Sequence, residues 1–385
     1  MSEIIRQRAW VEIDLGALAH NTRQIKKMLS PPTELMAVVK ADAYGHGAVT
    51  VAETVILAGA TRLAIATLSE GIELRKAGIA VPILILGAIN TAAAIEAIAR
   101  YQLQPTLCNI EQAKMVAATW ASSVAARTDG GATLPVHLKL DTGMSRLGTP
   151  WCSAAEFVRS VSQLSNLKIA SIYSHLATAD DPDRTTMELQ QKRFQEAIAQ
   201  IEALGMPQPR PLLHLANSAA TIGEPSYHYD LVRVGLALYG LYPAPHLQPC
   251  VQLQPVMQVK ARVTQVKTIA PGTGVSYGHQ FVADRDLHLA VVGIGYADGV
   301  PRNLSNRLQV SIRGQLVPQI GAITMEQLML DVSAIPDLKV GEVVTLIGQD
   351  GSVEISADSW AEALGTISWE ILCGFKHRLP RVSIN

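Results

Sequence analysis

The sequence predicts an α/β protein, a (β/α)8 TIM-like barrel followed by a second, mostly β-strand domain. Three observations predict it. Over residues 14–245, eight short apolar runs alternate with helical patterns, which is how strand-then-helix units read. Past Pro243-Ala244-Pro245 the hydrophobic period changes to two. Polar residues that are unusual in buried strands collect at or just past the C-terminal ends of the runs, the edge where such barrels do chemistry.

Residues 8–13 read as a strand. Asp14 then caps a helix to about Leu29, which Pro31-Pro32 ends. The eight barrel strands fall at 35–40, 63–67, 83–86, 103–107, 136–141, 169–175, 212–216 and 231–235. Met36 to Val39 is continuously apolar, as suits a strand buried on both faces. Gly59, Gly78 and Gly205 stand where C-terminal caps are expected. Asn90 and Asn109 are the expected N-caps, Asn109 with Gln112 makes a capping box, and Pro150 takes a first helical position. A doubly wound open sheet would share this alternation, but no Gly-x-Gly-x-x-Gly follows the first strand. In the second domain Met257, Val259, Ala261 and Val263 alternate with polar residues. Further strands fall at 287–294, 308–312, 316–319, 327–332 and 342–347, with a hairpin turn at Arg313-Gly314. Joining the opening strand to it makes that domain 1–13 plus 246–385, beside a barrel of 14–245.

Composition narrows the function. Of 385 residues, 48% are hydrophobic and 17% charged, which suits a well-buried enzyme and argues against disorder. With 32 basic and 33 acidic residues and no basic run, nucleic acid is not an expected partner. The opening residues lack an apolar signal core, and no stretch is long enough to span a bilayer. Cys108, Cys152, Cys250 and Cys373 show no metal-ligand spacing and read as reduced thiols of a cytoplasmic protein.

At the strand ends stand Lys40 and Tyr44; Lys139, Asp141, Thr142 and Arg146; His175; Asn217 and Ser218; and Arg233 with Gly235. Singly each has a bland reading: a snorkelling lysine, a turn aspartate, a core histidine, a helix-capping asparagine. Jointly, five of the eight strands deliver polar groups to one rim. Asn217-Ser218 start a short helical run suited to a phosphate, and Gly235 and Leu236 follow the eighth strand, where barrels usually hold one. A lysine on the first strand with phosphate at the seventh and eighth fits pyridoxal 5′-phosphate bound to Lys40. Arg233 is unusual beside it: an arginine at the pyridine nitrogen would keep that atom unprotonated and limit side reactions. In the second domain, Gly274-Val275-Ser276-Tyr277-Gly278 is a tight turn carrying one aromatic hydroxyl. The run 293–299, with two spaced glycines, makes only a weak nucleotide motif.

These segments together resemble the bacterial alanine racemases, pyridoxal phosphate-dependent enzymes of fold type III. The most specific match is Ala37-Val38-Val39-Lys40-Ala41-Asp42-Ala43-Tyr44-Gly45-His46-Gly47. In order follow 137–148, 174–180, Asn217-Ser218-Ala219, Val232-Arg233-Val234-Gly235, Val275-Ser276-Tyr277-Gly278 and 295–299. The resemblance implies an isomerase that interconverts L- and D-alanine for peptidoglycan precursors, acting as a homodimer with shared active sites. It implies two bases, Lys40 on the D face and Tyr277, from the other subunit, on the L face. His175 would link Tyr277 to Arg233; Tyr44, Ser218, Gly235 and Leu236 would hold the phosphate. Arg146 and the Met325 backbone would contact the substrate carboxylate, and Lys139 matches a position carbamylated in some members. Tyr296, Asp180 and Arg302 match residues of the substrate entry. Three positions depart from the family: Glu326 stands for an aspartate, Ala322 for a frequent arginine, and His377 for a tyrosine near the substrate methyl. The rival readings are a racemase of serine or another small amino acid and a non-catalytic cofactor-binding protein; a decarboxylase is disfavoured by Arg233.

Overall fold

The computed structural model describes residues 6–123 and 133–385. Residues 1–5, part of the opening stretch read above, lie outside them. The chain divides into two compact units. One is Leu18–Ala43 with Ala48–Gln254; the other is residues 1–17, Tyr44–Gly47 and Pro255–Asn385.

The first unit is the barrel. After β1 (Ala9–Asp14), which belongs to the other unit, its strands are β2 (Glu34–Val38), β3 (Arg62–Ile65), β4 (Ile83–Ala88), β5 (Gln104–Leu107), β6 (Leu134–Asp141), β7 (Leu167–Tyr173), β8 (Leu212–His214) and β9 (Leu231–Val234). All pair in parallel in the order β9-β2-β3-β4-β5-β6-β7-β8. The ends of that sheet meet: Asp230 N–H donates to Leu213 O (3.0 Å) and Arg233 N–H to Ala216 O (3.1 Å). The doubly wound alternative is therefore wrong, since an open sheet leaves its edges unpaired. Closure also makes β8, β9 and β2 neighbours, although they are far apart in sequence.

Helix ends follow local chemistry. Asp14 Oδ1 accepts from Ala17 N–H (2.8 Å) at the head of Leu15–Met28. Gly59, Gly78 and Gly205 adopt positive φ after their helices. Three expected positions shift. Thr91, not Asn90, caps Ala92–Arg100, because its hydroxyl accepts from Ala94 N–H. Asn109 does accept from Gln112 N–H, but the Gln112 amide oxygen turns back to Cys108 N–H (2.7 Å), one residue short of a true box. Pro150 precedes a 3₁₀ turn over Trp151–Ser153 instead of opening the α-helix, which starts at Ala154.

The second unit is β-rich. β10 (Met257–Ile269), β11 (Leu287–Val292), β12 (Gln309–Ile312), β13 (Gln315–Ile320), β14 (Leu328–Asp331), β15 (Val343–Asp350), β16 (Val353–Ile355) and β17 (Arg381–Ile384) join β1 in one sheet. Its order is β16-β15-β12-β13-β14-β11-β10-β1-β17, and β15 also pairs with β10. Met257, Val259, Ala261 and Val263 are buried, while the residues between them are half-buried. Arg313 and Gly314, both at positive φ, turn β12 into β13 as a two-residue hairpin. Among the described residues, no helix is long and apolar enough to cross a membrane.

Candidate active site

The chain leaves β2 in an uncommon way. The strand ends at Val38, two residues before the expected Lys40. Ala41, Asp42, Ala43 and Tyr44 then adopt φ of 55°, 53°, 52° and 56°, a left-handed turn of four non-glycine residues. Each such residue costs roughly 1–2 kcal/mol, so the turn must be held by contacts. Within the barrel unit, Glu70 Oε1 accepts from Ala41 N–H (2.6 Å), Val39 O from Ala43 N–H (2.9 Å) and Asp42 Oδ1 from Ala48 N–H (2.8 Å). Within the other unit, the Arg381 guanidinium donates to Gly45 O (3.0 and 2.9 Å). A Cβ on Gly45 would lie 2.7 Å from Leu372 O, so only glycine fits there. Nothing along the chain marks Glu70 or Arg381 for this role.

Around Lys40 the mouth is strongly cationic. Arg233, on β9, is buried. Its Nη1 donates to His214 Nδ1 (2.7 Å) and His214 O (3.3 Å); its Nη2 donates to Ser174 O (2.7 Å), Leu215 O (3.1 Å) and His175 Nδ1 (3.3 Å). These contacts use only Nη1 and Nη2, so among the described residues the Nε–H meets no acceptor. Burial pushes the guanidinium down to about 10, so it stays charged near neutral pH. Lys139 Nζ stands 5.3 Å from the Tyr173 ring centroid and Arg233 Cζ 5.1 Å from it. Burial, then Arg233 and Arg146, push Lys139 down to about 8. Burial, followed by Arg233, Lys139, Arg146 and Lys40, holds His175 well below its ordinary value and therefore neutral. Asp141, whose Oδ1 accepts from Gly143 and Ser145 N–H in a turn, offsets these charges at Lys139 only in small part.

The ends of β8 and β9 form a small polar cup. Asn217 caps the short helix Ser218–Gly223 by accepting from Ala220 N–H. Buried Ser218 Oγ accepts from Gly235 N–H (3.1 Å) and Ala237 N–H (3.4 Å), with Leu236 between them. Arg146 is exposed, and with Asp141 it lines a cleft of about 740 Å³. Tyr173, Ser174 and His214, which hold or flank Arg233, were missed as site residues. For Tyr173 the signal was its same-face spacing of two from Ser171 on β7, as for His137, Lys139 and Asp141 on β6; Ser174 and His214 carried none.

The other unit gathers a second set. Tyr277, Tyr296, Met325 and Glu326 line one groove of about 1140 Å³. Tyr277 is 71% exposed, on a turn where Ser276 (φ 63°) anchors its hydroxyl to Ala322 O (2.7 Å). Tyr296 and Ala297 N–H donate to Thr324 O (2.9 Å) and Met325 O (3.0 Å), fixing the Met325 segment. Glu326 pairs with Arg378 (3.2 Å), which also reaches Asp298 (3.3 Å), itself held by Arg8 (2.7 Å). Tyr44 is pushed up to about 12 by burial, with Cys373 beside it, so it remains a phenol donor. Ala322 is buried, while Arg302 and His377 are exposed, as is Asp180 on the barrel unit.

The family models for the alanine racemase N-terminal and C-terminal domains match residues 13–243 and 256–383. The chain belongs to the alanine racemase family. It is 65% identical to an alanine racemase from Nostoc sp., over 98% of this chain and 96% of the relative, and 64% identical to one from Synechocystis sp., over 99% and 100%. Among solved structures, alanine racemase from Bacillus anthracis with bound L-Ala-P is 34% identical with a TM-score of 0.90, over 98% of this chain and 95% of that one. The Streptomyces lavendulae racemase is 36% identical with a TM-score of 0.89, over 98% and 97%. The chain is thus an amino-acid isomerase that racemises alanine and depends on pyridoxal 5′-phosphate.

The racemase's own residues fit that group. A polyanion suits the cationic mouth, the Ser218–Gly235 cup lies at the ends of β8 and β9, of which β9 pairs with the strand that leads to Lys40, and the Nε–H of buried Arg233 is a donor that meets no acceptor among the described residues. Arg233→Glu would instead set a carboxylate against the carbonyls of Ser174, His214 and Leu215. We expect it to destabilise the barrel by about 3–5 kcal/mol, measured by denaturant unfolding of the purified variant.

Proposed function

We propose that racemisation uses two bases on opposite faces of the substrate: Lys40 Nζ exchanges the α-proton on the D face, and the partner's Tyr277 exchanges it on the L face. When bound, pyridoxal phosphate supplies an electron-withdrawing ring that acidifies that α-proton. Arg233 offers the ring nitrogen a donor only, which keeps that nitrogen unprotonated. For the same reason His175 Nδ1 accepts from Arg233, so the His175 proton sits on Nε2, free to donate to the Tyr277 oxygen. Tyr44, Asn217, Ser218, Gly235 and Leu236 hold the phosphate. Arg146 and the Met325 backbone hold the carboxylate, and Tyr296 lines the approach. The barrel of 14–245 carries the cofactor, while 1–13 plus 246–385 contributes the second base across a homodimer. The enzyme works in the cytoplasm and supplies D-alanine for peptidoglycan.

One observation carries the shared-site reading: Tyr277 is held out on an anchored turn, 71% exposed. An apolar-bodied side chain built outward in this way suits another subunit's cavity. Mixing and re-associating Lys40→Ala and Tyr277→Phe proteins tests it. Random exchange makes half the dimers mixed, each with one intact site, so activity should recover to about a quarter of the parent value. Recovery of nothing after proven exchange would refute the sharing.

We also propose that Lys139 is carbamylated. Its amine, lowered to about 8, has an appreciable neutral fraction able to take up carbon dioxide, and the carbamate would face Arg146 and Arg233. With ¹³C-bicarbonate, a carbamate carbon resonance is expected in the parent and not in Lys139→Ala. The same spectrum from both proteins would remove the assignment.

A further inference from the structure

Behind Arg233 runs a chain of polar groups to which the two-base reading gives no part. His214 Nδ1 lies 2.7 Å from Arg233 Nη1, and His214 Nε2 lies 2.8 Å from Ser171 Oγ. Ser171 Oγ is 2.6 Å from His137 Nδ1, and His137 Nε2 is 2.9 Å from Gln104 Oε1. His137, Ser171 and His214 are buried. Gln104 is half-buried and opens β5, so the chain crosses the barrel from its N-terminal end to its mouth. Tyr173 stacks on the His214 ring at 4.7 Å and 3°, and Thr106 fixes the Tyr173 hydroxyl (2.8 Å), so the imidazole plane is set as well.

The proton on every link follows from one fact. A guanidinium donates and never accepts, so His214 Nδ1 is an acceptor. The His214 proton therefore sits on Nε2 and goes to Ser171 Oγ. The serine's single hydroxyl proton then goes to His137 Nδ1, which places the His137 proton on Nε2, toward Gln104 Oε1. Both imidazoles are neutral in this order. Burial agrees, pushing His137 down to about 3 and His214 well below its ordinary value. The reverse order fails at one point. It would put a proton on His214 Nδ1 and set two N–H donors against each other across 2.7 Å.

We propose that Gln104, His137, Ser171 and His214 form a proton-ordered chain that fixes the direction of the Arg233 guanidinium, making Gln104, His137 and Ser171 positioning residues for racemisation. The proposal rests on the reading of Arg233 as the donor facing the cofactor. With Nη1 and Nη2 tied to protein acceptors, the Nε–H keeps one direction. Loosening the His214 end frees the guanidinium plane to rotate. Gln104 thus acts on the reaction from the opposite end of the barrel.

The test is a ¹⁵N-histidine spectrum of the holoenzyme, read for which ring nitrogen carries the proton, with steady-state kinetics beside it. In the parent, His137 and His214 should both be protonated on Nε2. Ser171→Ala removes the link and should leave His214 with a mixed proton position and kcat about tenfold lower. Gln104→Leu, at the half-buried end where folding is least at risk, should lower kcat about threefold with little change in KM. A His214 proton on Nδ1 in the parent overturns the chain. Parent kcat in both variants, with the protons placed as stated, overturns its positioning role and leaves Arg233 untouched. Parent kcat in Arg233→Lys would instead overturn the reading of Arg233 beneath it.

Discussion

Lys40→Ala is expected to lower racemisation by at least about 10³-fold and to remove the visible absorbance of lysine-bound cofactor. Two losses combine in one residue. In the proposed mechanism the side chain, just past the end of β2, is the covalent anchor, and its amine is the base on the D face. The substitution should not unfold the barrel. The left-handed turn begins at Ala41 and is held by Glu70, Val39 and Asp42, none of which depends on the lysine side chain for the bonds described. The groups proposed to hold the phosphate, Ser218 and Gly235, also remain, so added cofactor should still associate, more weakly and without the anchor. An absorbance scan with added pyridoxal phosphate, together with the rate, checks both parts. An unchanged visible spectrum would refute Lys40 as the anchor.

Tyr277→Phe should retain the cofactor spectrum and lower kcat by about 10²–10⁴-fold, the span of a lost general acid–base group. The side chain is 71% exposed, so the change in stability should stay within about 0.5 kcal/mol. The loss should be one-sided. In heavy water, D-alanine should still exchange its α-proton through Lys40, while L-alanine exchange and net racemisation fall together. Exchange surviving only from L-alanine would reverse the assignment of faces. Full activity would remove Tyr277 from the mechanism. L-serine measured in parallel would test the approach beside Glu326 and His377, where the sequence reading expects a departure from the family.

Much of the architecture was legible because it rests on local periodicity. Eight apolar runs with capped helices between them are visible along the chain, and so is the change to period two after Pro255. The cap slipped by a residue at Asn90, where neighbouring Thr91 accepts the orphan N–H instead, and Pro150 fell before a 3₁₀ turn, because helix ends depend on final backbone angles. The left-handed turn after Lys40 was not legible either. Ala41, Asp42 and Ala43 have no intrinsic preference for positive φ, and distant partners impose it.

By itself the sequence determined the class of elements, the lysine-to-glycine stretch that identifies the family, and the residue types that pyridoxal phosphate chemistry needs. These follow from spacing along one chain. Only the tertiary structure decided that the sheet closes, which sets β9 between β8 and β2 and brings the Ser218–Gly235 cup next to the strand leading to Lys40. It alone revealed Tyr173, His214, Ser171 and His137 beneath Arg233. Their spacing of two looks like any inward strand face. What makes them a unit is that a guanidinium can only donate, and that constraint passes through space from strand to strand and leaves no pattern along the chain.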